Sequence, residues 1–189
     1  MRDAPGRQGP DGKGNARTRR VGLFARLFKD RDAATVAALY EAIVARARAP
    51  HWYLAGGVPD SVDGRFDMVA AILSLVLLRL EGDPDGPAPS ALLAERFVRD
   101  MDGQLRELGI GDIVVGKHIG KMMGMLGGRL GAYRDGLAGG DLDGAITRNI
   151  YRGAAPSAAA LAEVRDGLIT FRDALAATPT PDLLAGKLP

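Results

Sequence analysis

From residue 33 to residue 175 the apolar side chains recur three and four positions apart and never settle into alternation. A repeat near 3.6 lines one face of a helix, whereas a half-buried strand needs a repeat of two. The chain therefore reads as all-α, a single compact helical domain of about six helices over residues 32–178. The first stripe is Val36, Leu39, Tyr40, Ile43, Val44 and Ala47, and Pro50 is expected to end that helix. After the turn signal Gly56-Gly57, Asp60 or Asp63 is placed to cap the next helix, because a short carboxylate accepts free backbone N–H groups at a helix start. From Met68 to Leu78 nearly every residue is apolar. That run is far short of the roughly 20 residues that span a bilayer, so it reads as a buried central helix.

Residues 81–90 read as an exposed loop ending in Ser90 as N-cap. The following stripe is Leu93, Phe97, Met101, Leu105 and Leu108, broken at Gly109-Ile110-Gly111-Asp112. A long helix from Gly116 to Leu137, a short one from Asp141 to Ile150, and a last one after Pro156-Ser157 complete the body. Residues 179–189 are expected to form a loose tail.

The charge is uneven. Residues 1–31 carry net +6 and the remainder −4, within a chain of net +2. Residues 1–19 are Gly-, Pro- and Arg-rich without periodicity and read as disordered. Residues 20–31 differ, because Leu23, Phe24, Leu27 and Phe28 share one helical face with cations mostly around the other. Such a basic amphipathic segment suits an anionic membrane surface or a ribosome, or the four apolar residues dock on the domain itself. Together these features predict a chain that is soluble or peripheral to a membrane.

Several chemistries find no footing. With no cysteine there is neither a disulfide nor a thiolate site, and two histidines, His51 and His118, do not suit a multi-His metal centre. The Gly-rich helix lacks the G-x-x-x-x-G-K-[ST] phosphate loop, so no nucleotide-phosphate site is expected there. Asp100 and Asp102 do not share a helix face, and no nucleophile or oxyanion motif accompanies them. No enzyme activity and no cofactor are expected. Arg65, Asp67, Asp100, Asp102, Arg106, Asp112 and Arg148 are candidates for a salt-bridge network that fixes helix positions.

The helix from Gly116 to Leu137 is unusual. Its apolar stripe is Ile119, Met122, Met123, Leu126, Leu130, Tyr133 and Leu137; its glycines are 116, 120, 124, 127, 128 and 131. Each interior glycine costs on the order of 1 kcal/mol against alanine. A glycine flank admits a close helix backbone, either an internal neighbour, the commoner case, or a partner's helix.

The stretch from Gly57 to Met68 packs a turn, a helix start and three carboxylates into twelve residues. With it come Leu39-Tyr40, Ile43-Val44, Ala47-Arg48-Ala49-Pro50, Asp100-Met101-Asp102, Leu105-Arg106-Glu107 and Val115-Gly116-Lys117. Farther on stand Gly128-Arg129 with Ala132-Tyr133, and Arg148-Asn149 with Tyr151. In this order the pieces, over roughly residues 35–155, resemble the ubiquinol–cytochrome c chaperone family in its alphaproteobacterial form. The Gly-rich segment departs from that pattern, which favours alanine and aromatic residues there.

The resemblance implies a non-enzymatic assembly factor for the cytochrome bc1 complex. It implies binding of newly made cytochrome b in a helical groove, with a small partner protein, at the cytoplasmic face of the inner membrane and without DNA. The contact residues expected on this reading are Pro59, Asp60, Asp63, Gly64 and Arg65 of the opening turn, with Lys117 and Lys121 of the Gly-rich helix. Leu23, Phe24, Leu27 and Phe28 are the expected membrane contacts. Two other classes stand beside it: a ribosome- or membrane-associated scaffold, and a helical enzyme or binder of a quinone- or haem-like ligand.

Overall fold

The computed structural model describes residues 36–107 and 115–189, and the side chains of residues 102–119 and 121 fall outside that set. The described residues form eight helices and no strand. They are α1 (residues 36–47), α2 (Pro50–Leu54), α3 (Val62–Glu81), α4 (Pro87–Glu107), α5 (Val115–Leu137), α6 (Leu142–Asn149), α7 (Ala158–Ala177) and α8 (Thr180–Leu184). The all-helical expectation holds, and the two five-residue helices α2 and α8 add to the six expected segments.

Helix α3 is the centre of the fold. It packs against α4, α5 and α7, and α6 bridges α5 and α7. From Asp67 to Leu77 every residue of α3 is buried, as the continuous apolar run demands. Leu39 and Ile43 of α1, Phe97 of α4, Tyr133 of α5 and Phe171 of α7 close the same core. Each such side chain contributes roughly 1.5–3 kcal/mol by leaving water.

The ends of the helices correct several expectations. Helix α1 stops at residue 47, and Pro50 opens α2 as its first residue, where a missing N–H removes no helical bond. His51-Trp52-Tyr53-Leu54 is thus helical. Trp52 is fully buried and donates its indole N–H to the Arg46 carbonyl at 2.9 Å. Gly167 on α7 lets that ring approach, since a Cβ there would lie 2.7 Å from the indole. Helix α4 begins at Pro87, so Ser90 lies in its first turn and is not its N-cap. Asp141 caps α6 through Gly144 N–H at 2.7 Å, and Ser157 caps α7 through Ala160 N–H at 3.1 Å.

The end of the chain is packed, contrary to the loose tail expected from residue 179. Leu183 of α8 is fully buried. Thr180 donates to the Asp83 carboxylate, and Arg79 holds the carbonyls of Leu175 and Thr178 at 3.1 and 3.2 Å. The leader, with Leu23, Phe24, Leu27 and Phe28, lies outside the described residues.

Candidate partner-binding surface

The turn that opens α3 is fixed by short-range bonds. Ser61, in extended backbone, is the N-cap and accepts from Gly64 N–H at 3.1 Å; the cap is neither Asp60 nor Asp63. Gly64 is buried beneath the Pro59 carbonyl, where any Cβ would collide with that oxygen. Its role in the structure is this close approach.

The two aspartates are taken by arginines. Asp60 accepts from Arg65 Nε at 2.6 Å, in a pair whose side chains are 61% and 56% exposed. That bond holds the Asp60 carboxyl below the usual carboxylate range. Asp63 pairs with Arg152 at 2.6 Å. Arg152 continues to the fully buried Asp67 at 2.7 Å, and Arg129 of α5 reaches the other oxygen of Asp67 at 2.5 Å. Burial pushes Asp67 upward, opposed by Arg152 and Arg129.

This chain of charges ties α3, α5 and the segment after α6 together. Arg152 sits at φ +54°, in the left-handed region that a long side chain seldom adopts. Beside it, Tyr151 donates its hydroxyl to the Gly56 carbonyl and anchors the α2–α3 turn. Of the network expected from sequence, only Asp67 is part of this assembly. Arg65 pairs with Asp60, Asp100 accepts from Tyr40 at 2.9 Å, and Arg148 stands 3.6 Å from Asp141. Asp102, Arg106 and Asp112 lie outside the described side chains. Arg129 stood among the quoted family pieces without a role; Arg152 carried no sequence signal, because its placement depends on a backbone angle.

The outer side of the turn is open. Arg48, Pro50, Tyr53, Leu54, Asp60 and Arg65 surround a shallow cavity of about 440 Å³. Leu54 is 83% exposed and Val62 57%, a concentration of large apolar side chains in water at one hairpin. The structure thus brings Pro59, Asp60 and Arg65 to an accessible edge, places Asp63 beside them on Arg152, and buries Gly64. Lys117 and Lys121 belong to α5, but their side chains are outside the described residues.

Helix α5 supplies a second open face. Met122, Leu126 and Tyr133 turn into the core. The glycines lie on the other side: a Cβ at Gly120, Gly124, Gly127, Gly128 or Gly131 would meet nothing within 4 Å. The expected internal neighbour for this stripe is therefore absent among the described residues. Met123, beside it, is 43% exposed. Gly136, at the end of α5, is pressed against Leu142 of α6.

No group of three or more potential metal-binding side chains converges among the described residues, and no described helix is long and apolar enough to cross a membrane. The profile of the ubiquinol–cytochrome c chaperones matches residues 54–188. The chain belongs to the ubiquinol–cytochrome c chaperone family. This family member is similar to the Cbp3 homolog from Brucella abortus, known from its crystal structure, at 36% sequence identity and a TM-score of 0.74. The likeness covers 89% of this chain and 94% of the Brucella one. A search of curated proteins gives no match. For this chaperone-family chain the comparison extends the resemblance beyond residue 155, through α7 and α8.

Proposed function

We propose that this protein is a non-enzymatic chaperone in assembly of the cytochrome bc1 complex that holds a hydrophobic segment of newly made cytochrome b. The family match over residues 54–188 carries the reading. Two features support it. The α2–α3 hairpin exposes Leu54 and Val62 beside the exposed pair Asp60–Arg65, and α5 presents glycines with no described residue close above them. A helix of a client can approach such a face closely, in the helix-in-groove mode. On this reading Lys117 and Lys121 contribute to client binding and the basic leader to membrane attachment.

The test is capture of the client. A tagged protein recovered from respiring cells is expected to bring down cytochrome b, and deletion of its gene to lower assembled bc1 complex. Arg65→Ala is expected to reduce capture while leaving helicity and the unfolding midpoint essentially unchanged, because exposed ion pairs contribute little. Normal bc1 levels in the deletion strain, with no cytochrome b recovered, would sink the proposal. Unfolding by Arg65→Ala would reassign that residue to structure.

A further inference from the structure

The C-terminal ends of α3, α5 and α7 meet around a half-open cavity of about 520 Å³, within the ~300–1,000 Å³ range of small-ligand sites. It lies at the opposite end of α3 from the Asp60–Arg65 pair, about 20 Å away at the helical rise per residue. Leu75, Leu78 and Leu137 make its apolar wall, and the small, exposed Ala176 leaves its mouth wide. Among the described residues Arg79, Arg134 and Arg172 line it with Glu81, while Asp83, 3.8 Å from Arg79, and Asp173, 2.7 Å from Arg172, stand outside the lining.

The arginines differ in what they have left to give. Arg79 is committed to the end of α7, through the carbonyls of Leu175 and Thr178. Arg172 holds Asp173 and points Nη1 at the Leu137 carbonyl at 3.5 Å. Helix C-termini repel anions, but the Leu175 and Thr178 carbonyls at the end of α7 and the Leu137 carbonyl at the end of α5 are met by guanidinium groups. Arg134 spends only Nη2, on both oxygens of Glu81 at 2.7 and 2.9 Å. Its Nε and Nη1 donate to nothing among the described residues, and the side chain is 49% exposed. Nε and Nη1 lie on opposite sides of the guanidinium, so each offers one charge-assisted hydrogen bond to a carboxylate or phosphate oxygen. Among the described residues no His, Met or Tyr lines the cavity.

We propose that this cavity binds an amphipathic anion, with its acyl chain on Leu75, Leu78 and Leu137 and its acidic head on Arg134. The ligand class is an anionic head on a hydrocarbon tail, supplied by a free fatty acid or by a phospholipid. The reading is independent of cytochrome b capture.

Titration calorimetry of the full chain with oleate, below its micelle-forming concentration, tests it. Saturable one-to-one binding is expected, with oleyl alcohol, which has the tail without the charge, at least about tenfold weaker. Arg134→Gln is expected to lose about tenfold, as a charge-assisted bond is removed. Ala176→Phe should fill the mouth and abolish binding. Both substitutions sit at solvent-facing positions, and circular dichroism checks that each variant is folded. Dihexanoyl phosphatidylglycerol, run in parallel, separates a lipid from a fatty acid as the source. Absence of saturable binding by either anion overturns the proposal. So does binding that both variants leave unchanged, which puts the ligand elsewhere on the chain. Equal affinity for oleyl alcohol overturns the anionic part.

Discussion

Replacing Gly120, Gly124, Gly127 and Gly131 together by alanine is expected to stabilise the protein and impair its use. A glycine inside a helix is about 0.8–1 kcal/mol less favourable than alanine, because the unfolded chain has more backbone freedom to lose. The added methyls meet nothing within 4 Å, so no clash offsets the gain. The four sites share no partner among the described residues, so their effects add to about 3–4 kcal/mol. That is a large share of the roughly 5–15 kcal/mol typical of a domain. With a urea slope near 2 kcal/mol/M, the unfolding midpoint should rise by about 1.5–2 M at unchanged slope. Gly136→Ala is the internal control. There a Cβ would stand 2.8 Å from the Leu142 Cα, and the midpoint should fall. A quadruple variant with an unchanged or lower midpoint refutes the open-face reasoning. If the midpoint rises while cytochrome b capture is unaffected, the face is open but is not where the client docks.

Three further outcomes are expected. Asp67→Asn should cost about 3 kcal/mol in denaturant unfolding, since it leaves Arg129 and Arg152 without the buried carboxylate they share; a loss below about 1 kcal/mol would show that the network is dispensable. Gly64→Ala should prevent the Pro59 carbonyl from closing over α3, seen as a loss of several degrees in Tm; an unchanged Tm would mean the turn relaxes freely. Asp83 accepts from Thr180 and the Asp85 N–H, with Arg79 nearby, and its carboxyl is held below the ordinary range. A carboxyl lowered in the folded state adds stability above its unfolded pKa of about 4 and loses it as the pH falls through the folded value. Asp83→Asn should therefore flatten the acid limb of the stability profile below about pH 4, and identical acid limbs would remove Asp83 from that account.

The helix starts show how far the residues could be read one by one. Asp60, Ser61 and Asp63 all have the chemistry of an N-cap, and they lie within four positions. Ser61 takes the role because Arg65 draws Asp60 away and Arg152 draws Asp63 away, and Arg152 is 89 residues distant from Asp63 in sequence. Asp141 and Ser157 stand where the short helix and the last helix were expected to start, and both are N-caps. The C-terminal residues misled because Pro179 and Pro181 suggest a loose tail, while Leu183 finds a buried seat that only the assembled helices create.

The apolar period determined the all-helical class, the central burial of Met68–Leu77, the stripes of α1 and α7, and the described parts of those of α4 and α5 apart from the exposed Met123, because each is set by neighbours within a turn or two of the same helix. The quoted motifs carried the family. Tertiary structure alone decided that Gly120, Gly124, Gly127, Gly128 and Gly131 of α5 face no close neighbour among the described residues, that Asp67 is shared by Arg129 and Arg152, and that three helix ends meet around a cavity. Those features depend on the angles at which helices cross and on one positive φ at Arg152, and neither is encoded in local spacing.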